Sequence, residues 1–156
     1  ATVIAAGNNY IVNAVSPPGC ISTAITVSAS SKRKTGKPER ISIYSNLGKV
    51  TDTIAPGGDF NYPFKANRDG ILSSYNTSNT GYAFLNGTSM AAPHVAGVIA
   101  AIKARPACRN KTVSQIETAL HNTGLKIKDW RHVMGVTPIT KRRIDVMALM
   151  KALGCV

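Results

Sequence analysis

LNGTSMAAPHVAG, residues Leu85 to Gly97, places a serine where a helix begins, behind Gly87 and Thr88 and ahead of a long apolar run. The run continues as SMAAPHVAGVIAAIKAR, rich in Ala, Val and Ile, with Pro93 inside the first turns and Pro106 beyond the end. This pattern predicts a helix apolar on nearly every side, and therefore one that runs through a core. Ser89 at its start has two readings, a nucleophile or, like its neighbour Thr88, a cap. Ser and Thr commonly cap a helix by accepting a first-turn N–H. A serine there can also act as a nucleophile, because the free N–H groups and the positive end of the helix dipole stabilise negative charge forming beside it. Gly87, Ala91 and Ala92 would let a peptide backbone approach. On local physics alone the cap is the commoner role.

Outward from this helix the chain alternates short apolar runs with turns. Thr2 to Ala6, Ala24 to Ala29, Arg40 to Ser45 and Val50 to Ala55 are β-branched runs separated by Gly, Pro, Asn and Ser, and read as strands. SNTG at 78 to 81 lies between GILSSYN and YAFLNG and reads as a hairpin turn. Val113, Ile116, Ala119 and Leu120 fall at helical spacing behind a Thr112–Gln115 capping box, and Asp145 caps a last helix, IDVMALMKAL. Buried-type strands followed by helices give an α/β layered domain. With 156 residues and 44% hydrophobic content the chain can bury a core. No apolar run approaches the ~18 residues of a membrane span, so no membrane partner is expected.

The formal charge of +12 sits in local runs, SKRKTGKPER at 31 to 40 and TKRRID at 140 to 145, with little aromatic interleaving. These read as solvated loops, with an acidic partner as the second reading and nucleic-acid binding as a distant third. Nucleic-acid binding would show as steep salt dependence. Cys20, Cys108 and Cys155 lack the spacing of a zinc site. A Cys108–Cys155 bridge would tie down the C-terminal segment and imply an oxidising compartment, hence a secreted or otherwise extracytoplasmic protein. Three reduced buried thiols are the alternative.

NGTSMAAPHVAG, Asn86 to Gly97, resembles the serine signature of the subtilisin-like proteases, the subtilases, without a gap. VIAAGNN at 3 to 9 is similar to that family's strand ending in the oxyanion-hole asparagine, SPPGC at 16 to 20 to its cis-proline loop, VTDTIAPGG at 50 to 58 to its APG turn, and RRIDVMAL to its closing helix. The resemblance covers most of the chain and is weakest at 31 to 39 and between Thr123 and Thr137. It implies the C-terminal half of a three-layer subtilisin-like fold, a mostly parallel sheet with flanking helices, and residues 1–156 as part of a single catalytic domain. Ser89 would then be the nucleophile. Asn8 would donate its side chain to the oxyanion and the Ser89 N–H would be the second donor. An amide suits that task, being neutral, doubly donating and no competing base; alone, Gly7-Asn8 would read as an Asx turn. A pocket for the substrate side chain would be lined by Ala5, Ala6 and Gly7 and by Val15, Ser16, Pro17, Pro18 and Gly19, with Ser16 where the family often has glycine. The chemistry needs no cofactor. A structural calcium, common in the family and often held by loop carbonyls, leaves almost no side-chain trace.

A nucleophilic serine needs a base and an orienting carboxylate, which in this family precede it in the chain. Neither family signature is present. His94, five residues beyond Ser89, projects roughly 140° away on a helix and reads as a buried structural histidine. His121 and His132 read as partly exposed, with no carboxylate arranged nearby. Asp52 reads as a strand residue, Asp59 and Asp69 as turn residues, Asp129 as a loop residue. The expectation is therefore a serine endopeptidase acting on a peptide or protein substrate, inactive until a complementary N-terminal chain or segment supplies Asp and His. A strand already under way at Thr2 fits that picture. A catalytically inactive fragment that binds peptides or a partner is the alternative.

Overall fold

The computed structural model describes residues 1–31, 38–60, 69–131 and 133–156. The order is β1 (Val3–Ala5), β2 (Ile25–Ser30), β3 (Thr53–Pro56), β4 (Ile71–Ser74), β5 (Tyr82–Leu85), α1 (Thr88–Ala104), α2 (Val113–Asn122), β6 (Leu125–Lys128), β7 (Thr140–Arg143) and α3 (Val146–Leu153). A five-stranded sheet runs β1-β2-β3-β7-β6, and β4 and β5 form a separate hairpin. Strands β1, β2, β3 and β7 are parallel, and β6 is antiparallel to β7. This is the α/β architecture expected.

β2 is buried along its whole length and shows why the molecule has layers. Ile25, Val27 and Ala29 alternate onto one face, against Ala91, Val95, Ile99 and Ile102 of α1, with Ile116 and Leu120 of α2 and Leu149 of α3 in the same cluster. Thr26, Ser28 and Ser30 face the other way and are each satisfied: Thr26 Oγ1 donates to Gly19 O at 2.6 Å, Ser28 Oγ to Asn46 O at 2.7 Å and Ser30 Oγ to Glu39 Oε1 at 2.5 Å. A smaller apolar cluster, Ile41, Leu47, Ile54 and Ile127, completes the packing.

Three sequence expectations change. Arg40 to Ser45 is no strand: after a single bridge from Ile41 to Ser30 it turns, because side chains claim its carbonyls. Trp130 Nε1 donates to Ile41 O at 2.8 Å, and Arg131, paired with the buried Asp129, donates to Ile43 O at 3.1 Å and Ser45 O at 2.5 Å. TKRRID is not a solvated loop but contains β7, where Arg143 grips Glu39 through Nε at 3.0 Å and Nη2 at 2.9 Å. Of the other basic run, residues 32–37 lie outside the described residues. Finally, α1 is not buried all round, since Pro93, His94, Ala96, Gly97, Ala100 and Ala101 are exposed.

α2 and α3 begin as expected, on the Thr112–Gln115 capping box and on Asp145 accepting from Ala148 N at 3.0 Å. Between the open reading of three thiols and a bridge, the structure has the Cys108–Cys155 disulfide, with Cα atoms 5.5 Å apart, and an exposed free Cys20. It joins the turn after α1 to the end of α3 across a separation of 47 residues, which on chain-entropy grounds contributes about 4 kcal/mol. Urea denaturation with and without reductant should show a loss approaching that size.

Candidate active site

Ser89 lies exposed in the first turn of α1, beyond the carboxyl ends of the parallel strands. Its helix has Gly87 at the N-cap position, no side-chain cap bond from within the helix start, and no acidic residue in the first turn. The cap comes from across the sheet. Asn8, just past the end of β1, accepts from Thr88 N at 2.9 Å and from Thr88 Oγ1 at 3.0 Å through its side-chain oxygen. Ser89 is therefore not the cap, and the local reading that favoured one is corrected.

This bond also fixes which way the Asn8 amide faces. A backbone N–H can only donate, so the atom facing Thr88 is the oxygen and Nδ2 is the atom left to donate elsewhere. A Cβ built on Gly87 would stand 3.5 Å from Asn8 Nδ2 and 3.6 Å from Ser89 N, so the absent side chain leaves open a space flanked by both donors. Two N–H donors and a helix N-terminus with no acidic residue in its first turn, next to a serine hydroxyl, form an arrangement that can hold a developing oxyanion. Thr88, fully buried, is not the cap either: its Oγ1 donates to Asn8 and accepts from Gly7 N at 3.2 Å, and so joins β1's exit to α1.

The two candidate pocket segments meet. Ser16 N donates to Ala6 O at 2.9 Å and Gly19 N to Ser16 O at 2.8 Å, while the Pro17–Pro18 peptide is cis. Ala5, Ala6 and Gly7 thus lie against the turn formed by Val15 to Gly19. The Ser16 hydroxyl donates to Asn9 Oδ1 at 2.8 Å. Gly7 is required here: it sits at φ +103°, and a Cβ would fall 2.5 Å from Asn46 Nδ2.

Behind the serine turn, Gly87 N donates to Gly57 O at 3.0 Å, and Tyr44 Oη donates to Gly57 O and Gly58 O at 2.7 and 2.8 Å. Burial, chiefly, raises the Tyr44 phenol well above its ordinary value, with the nearby Asp59 carboxylate adding to the rise. The neutral phenol is favoured in the folded state, so its contribution is whole below about pH 10 and falls away as pH rises above that. Tyr44→Phe should lose about 1 kcal/mol at neutral pH, because it removes one shared hydrogen bond while Gly57 O keeps Gly87 N and Gly58 O keeps Ser42 Oγ as donors, and it should show a flatter stability profile above pH 10.

His94 is exposed rather than buried, its Nδ1 2.8 Å from Met90 O. His121 does have a carboxylate: Nε2 lies 2.9 Å from Asp52 Oδ1, with Glu117 beside them. This corrects the expectation of an unaccompanied His121. Asp52 is not in β3 but just ahead of it, where its Oδ2 accepts from Thr26 N at 2.6 Å. The pair therefore lies at the amino ends of the strands, the opposite end from Ser89. His132 lies outside the described residues. Asp52, Glu117 and His121 have ligand atoms within 4.8 Å of one another, but this set does not suit calcium. Asp52 already accepts two bonds, one ligand would be an imidazole, and Lys126, Lys141 and Arg142 line the same cavity of about 250 Å³.

The fold and the serine-bearing turn are those of a known group of proteases, and the family profile of the subtilases matches residues 1–141: the chain belongs to the subtilase family. It is 37% identical over 125 residues to thermitase of Thermoactinomyces vulgaris, covering 80% of this chain and 37% of that protein. It is 41% identical over 97 residues to alkaline protease 1 of Emericella nidulans, covering 62% of this chain and 20% of that protein. Among solved structures, a protease of Pseudoalteromonas arctica superimposes with a TM-score of 0.72 at 34% identity, over 97% of this chain and 42% of that one. The chain thus spans less than half the length of each of these relatives.

Proposed function

We propose that this chain carries the nucleophile and the oxyanion site of a serine endopeptidase, and that a segment outside it supplies the base and its carboxylate. The observation that carries the reading is the Asn8 amide, held by Thr88 with its donor free, beside an exposed Ser89 that caps nothing. Among the described residues the one His–carboxylate pair, His121–Asp52, stands at the other end of the sheet, so no described pair is placed to serve Ser89 as base.

In the assembled enzyme the incoming histidine takes the Ser89 hydroxyl proton as Oγ attacks the substrate carbonyl carbon. The carbonyl oxygen becomes an oxyanion, held by Asn8 Nδ2 and the Ser89 N–H. Collapse breaks the C–N bond, and the leaving amine departs with the proton carried by the histidine. Water, deprotonated by the same histidine, then attacks the acyl ester and releases the acid while Ser89 recovers its proton. The preceding substrate side chain would rest between Ala5 to Gly7 and Val15 to Gly19. A secreted or extracytoplasmic setting is supported by the Cys108–Cys155 bridge and by the similarity, 38% over 130 residues, to a Xanthomonas campestris protein named extracellular protease.

The test is covalent labelling with an active-serine phosphonate together with peptide hydrolysis, on the isolated chain and on the chain assembled with the segment supplying Asp and His. Label on Ser89 and turnover in the assembled form alone are expected. Turnover by the isolated chain would overturn the dependence on a second segment; absence of label in both would favour a peptide- or partner-binding role.

A further inference from the structure

Asn46 is fully buried, polar, and on no regular element, yet it touches the turn carrying Asn8 from several sides. Its Oδ1 accepts from Asn9 N at 2.9 Å and Ile11 N at 3.1 Å. Its Nδ2 lies within bonding distance of Ala6 O at 3.2 Å, Asn9 Oδ1 at 3.3 Å and Ser16 Oγ at 2.9 Å, so two hydrogens serve three acceptors. Its backbone N–H donates to Gly7 O at 2.9 Å. The residue is anchored behind, where its carbonyl accepts from Ser28 Oγ of β2 at 2.7 Å.

We infer that Asn46 is the positioning residue for the oxyanion donor: it clamps Ala6, Gly7 and Asn9, on both sides of Asn8, to the sheet and to the Ser16 turn. The inference rests on the proposed protease function and assigns Asn46 no contact with substrate. Among the described residues Asn8 itself is held by the side-chain bonds to Thr88 alone, through its oxygen. The placement of its Nδ2 therefore depends on where the backbone at 7 to 9 sits, and Asn46 sets that backbone. Displacement of a donor by about 1 Å is enough to cost on the order of a hundredfold in rate. Any buried asparagine would also be expected to stabilise the fold, so stability alone cannot distinguish positioning from packing.

The test is a double-mutant cycle in the assembled, active protease: Asn46→Ala and Asn46→Asp, each with Asn8 intact and with Asn8→Ala. The aspartate variant keeps the size and the acceptor of the side chain if the alanine variant fails to fold. With Asn8 intact, kcat should fall roughly tenfold or more while KM changes far less. With Asn8 already removed, the same substitution should change kcat by less than about twofold, because the group it positions is gone. Equal losses in both backgrounds would overturn the inference, and so would failure of both variants to fold, which would make Asn46 a packing residue. An inactive parent enzyme, or one unaffected by Ser89→Ala, would instead overturn the protease function and the positioning role with it.

Discussion

Ser89→Ala in the assembled protease is expected to lower kcat by about six orders of magnitude while leaving folding stability within about 0.5 kcal/mol of the parent. Loss of the nucleophile in subtilisin has an effect of that size. The stability half belongs to this structure. Ser89 is exposed and makes no cap bond, so its hydroxyl is dispensable to the helix. A cap, by contrast, would cost about 1 kcal/mol on truncation. Steady-state hydrolysis and urea denaturation on the same preparation check both halves, and a stable variant that retains turnover would dismiss Ser89 as nucleophile.

Asn8 should behave differently because its two ends have different work. Asn8→Ala removes both, and kcat is expected to fall by about 10²–10³, the range known for the corresponding subtilisin donor, with about 1 kcal/mol lost from the start of α1. Asn8→Asp separates them. The carboxylate still accepts from Thr88 N and Oγ1 and carries a negative charge favourable at a helix N-terminus, so stability should hold or rise. It cannot donate, and its charge opposes an oxyanion, so kcat should fall at least as far as for alanine. Thermal denaturation and kcat measured for the pair would show the two effects moving apart. If the aspartate variant kept its activity, Asn8 would be a cap and nothing more.

Much of this was legible in the sequence where one side chain decides one local feature. The Thr112–Gln115 box, the Asp145 cap, the SNTG hairpin and the apolar run of β2 are of that kind. The serine segment was legible too, as a motif. What stayed hidden was decided across long separations. Arg40 to Ser45 has the composition of a strand, but its carbonyls are claimed by Trp130 and Arg131, roughly ninety positions on. Thr140 to Arg143 has no apolar alternation, and is a strand because β3 and β6 flank it and Glu39 neutralises Arg143. The Ser89 question itself could not be settled locally, since the group that caps α1 is eighty residues upstream. Asn46 gave no signal at all: an asparagine between Ser45 and Leu47 looks like any turn residue until its partners are in place.

The parallel strands also divide the molecule's tolerance for change. Asn8, Thr88, Ser89 and the Gly57–Gly58 turn gather beyond their carboxyl ends, while Asp52, His121, Lys126, Lys141 and Arg142 gather at the amino ends. Surface charge can therefore be rewritten at one end without replacing any residue that builds the other. Lys126, exposed and away from the serine, is a place to begin lowering the +12 charge, and purification behaviour or colloidal solubility could be tuned there independently of turnover.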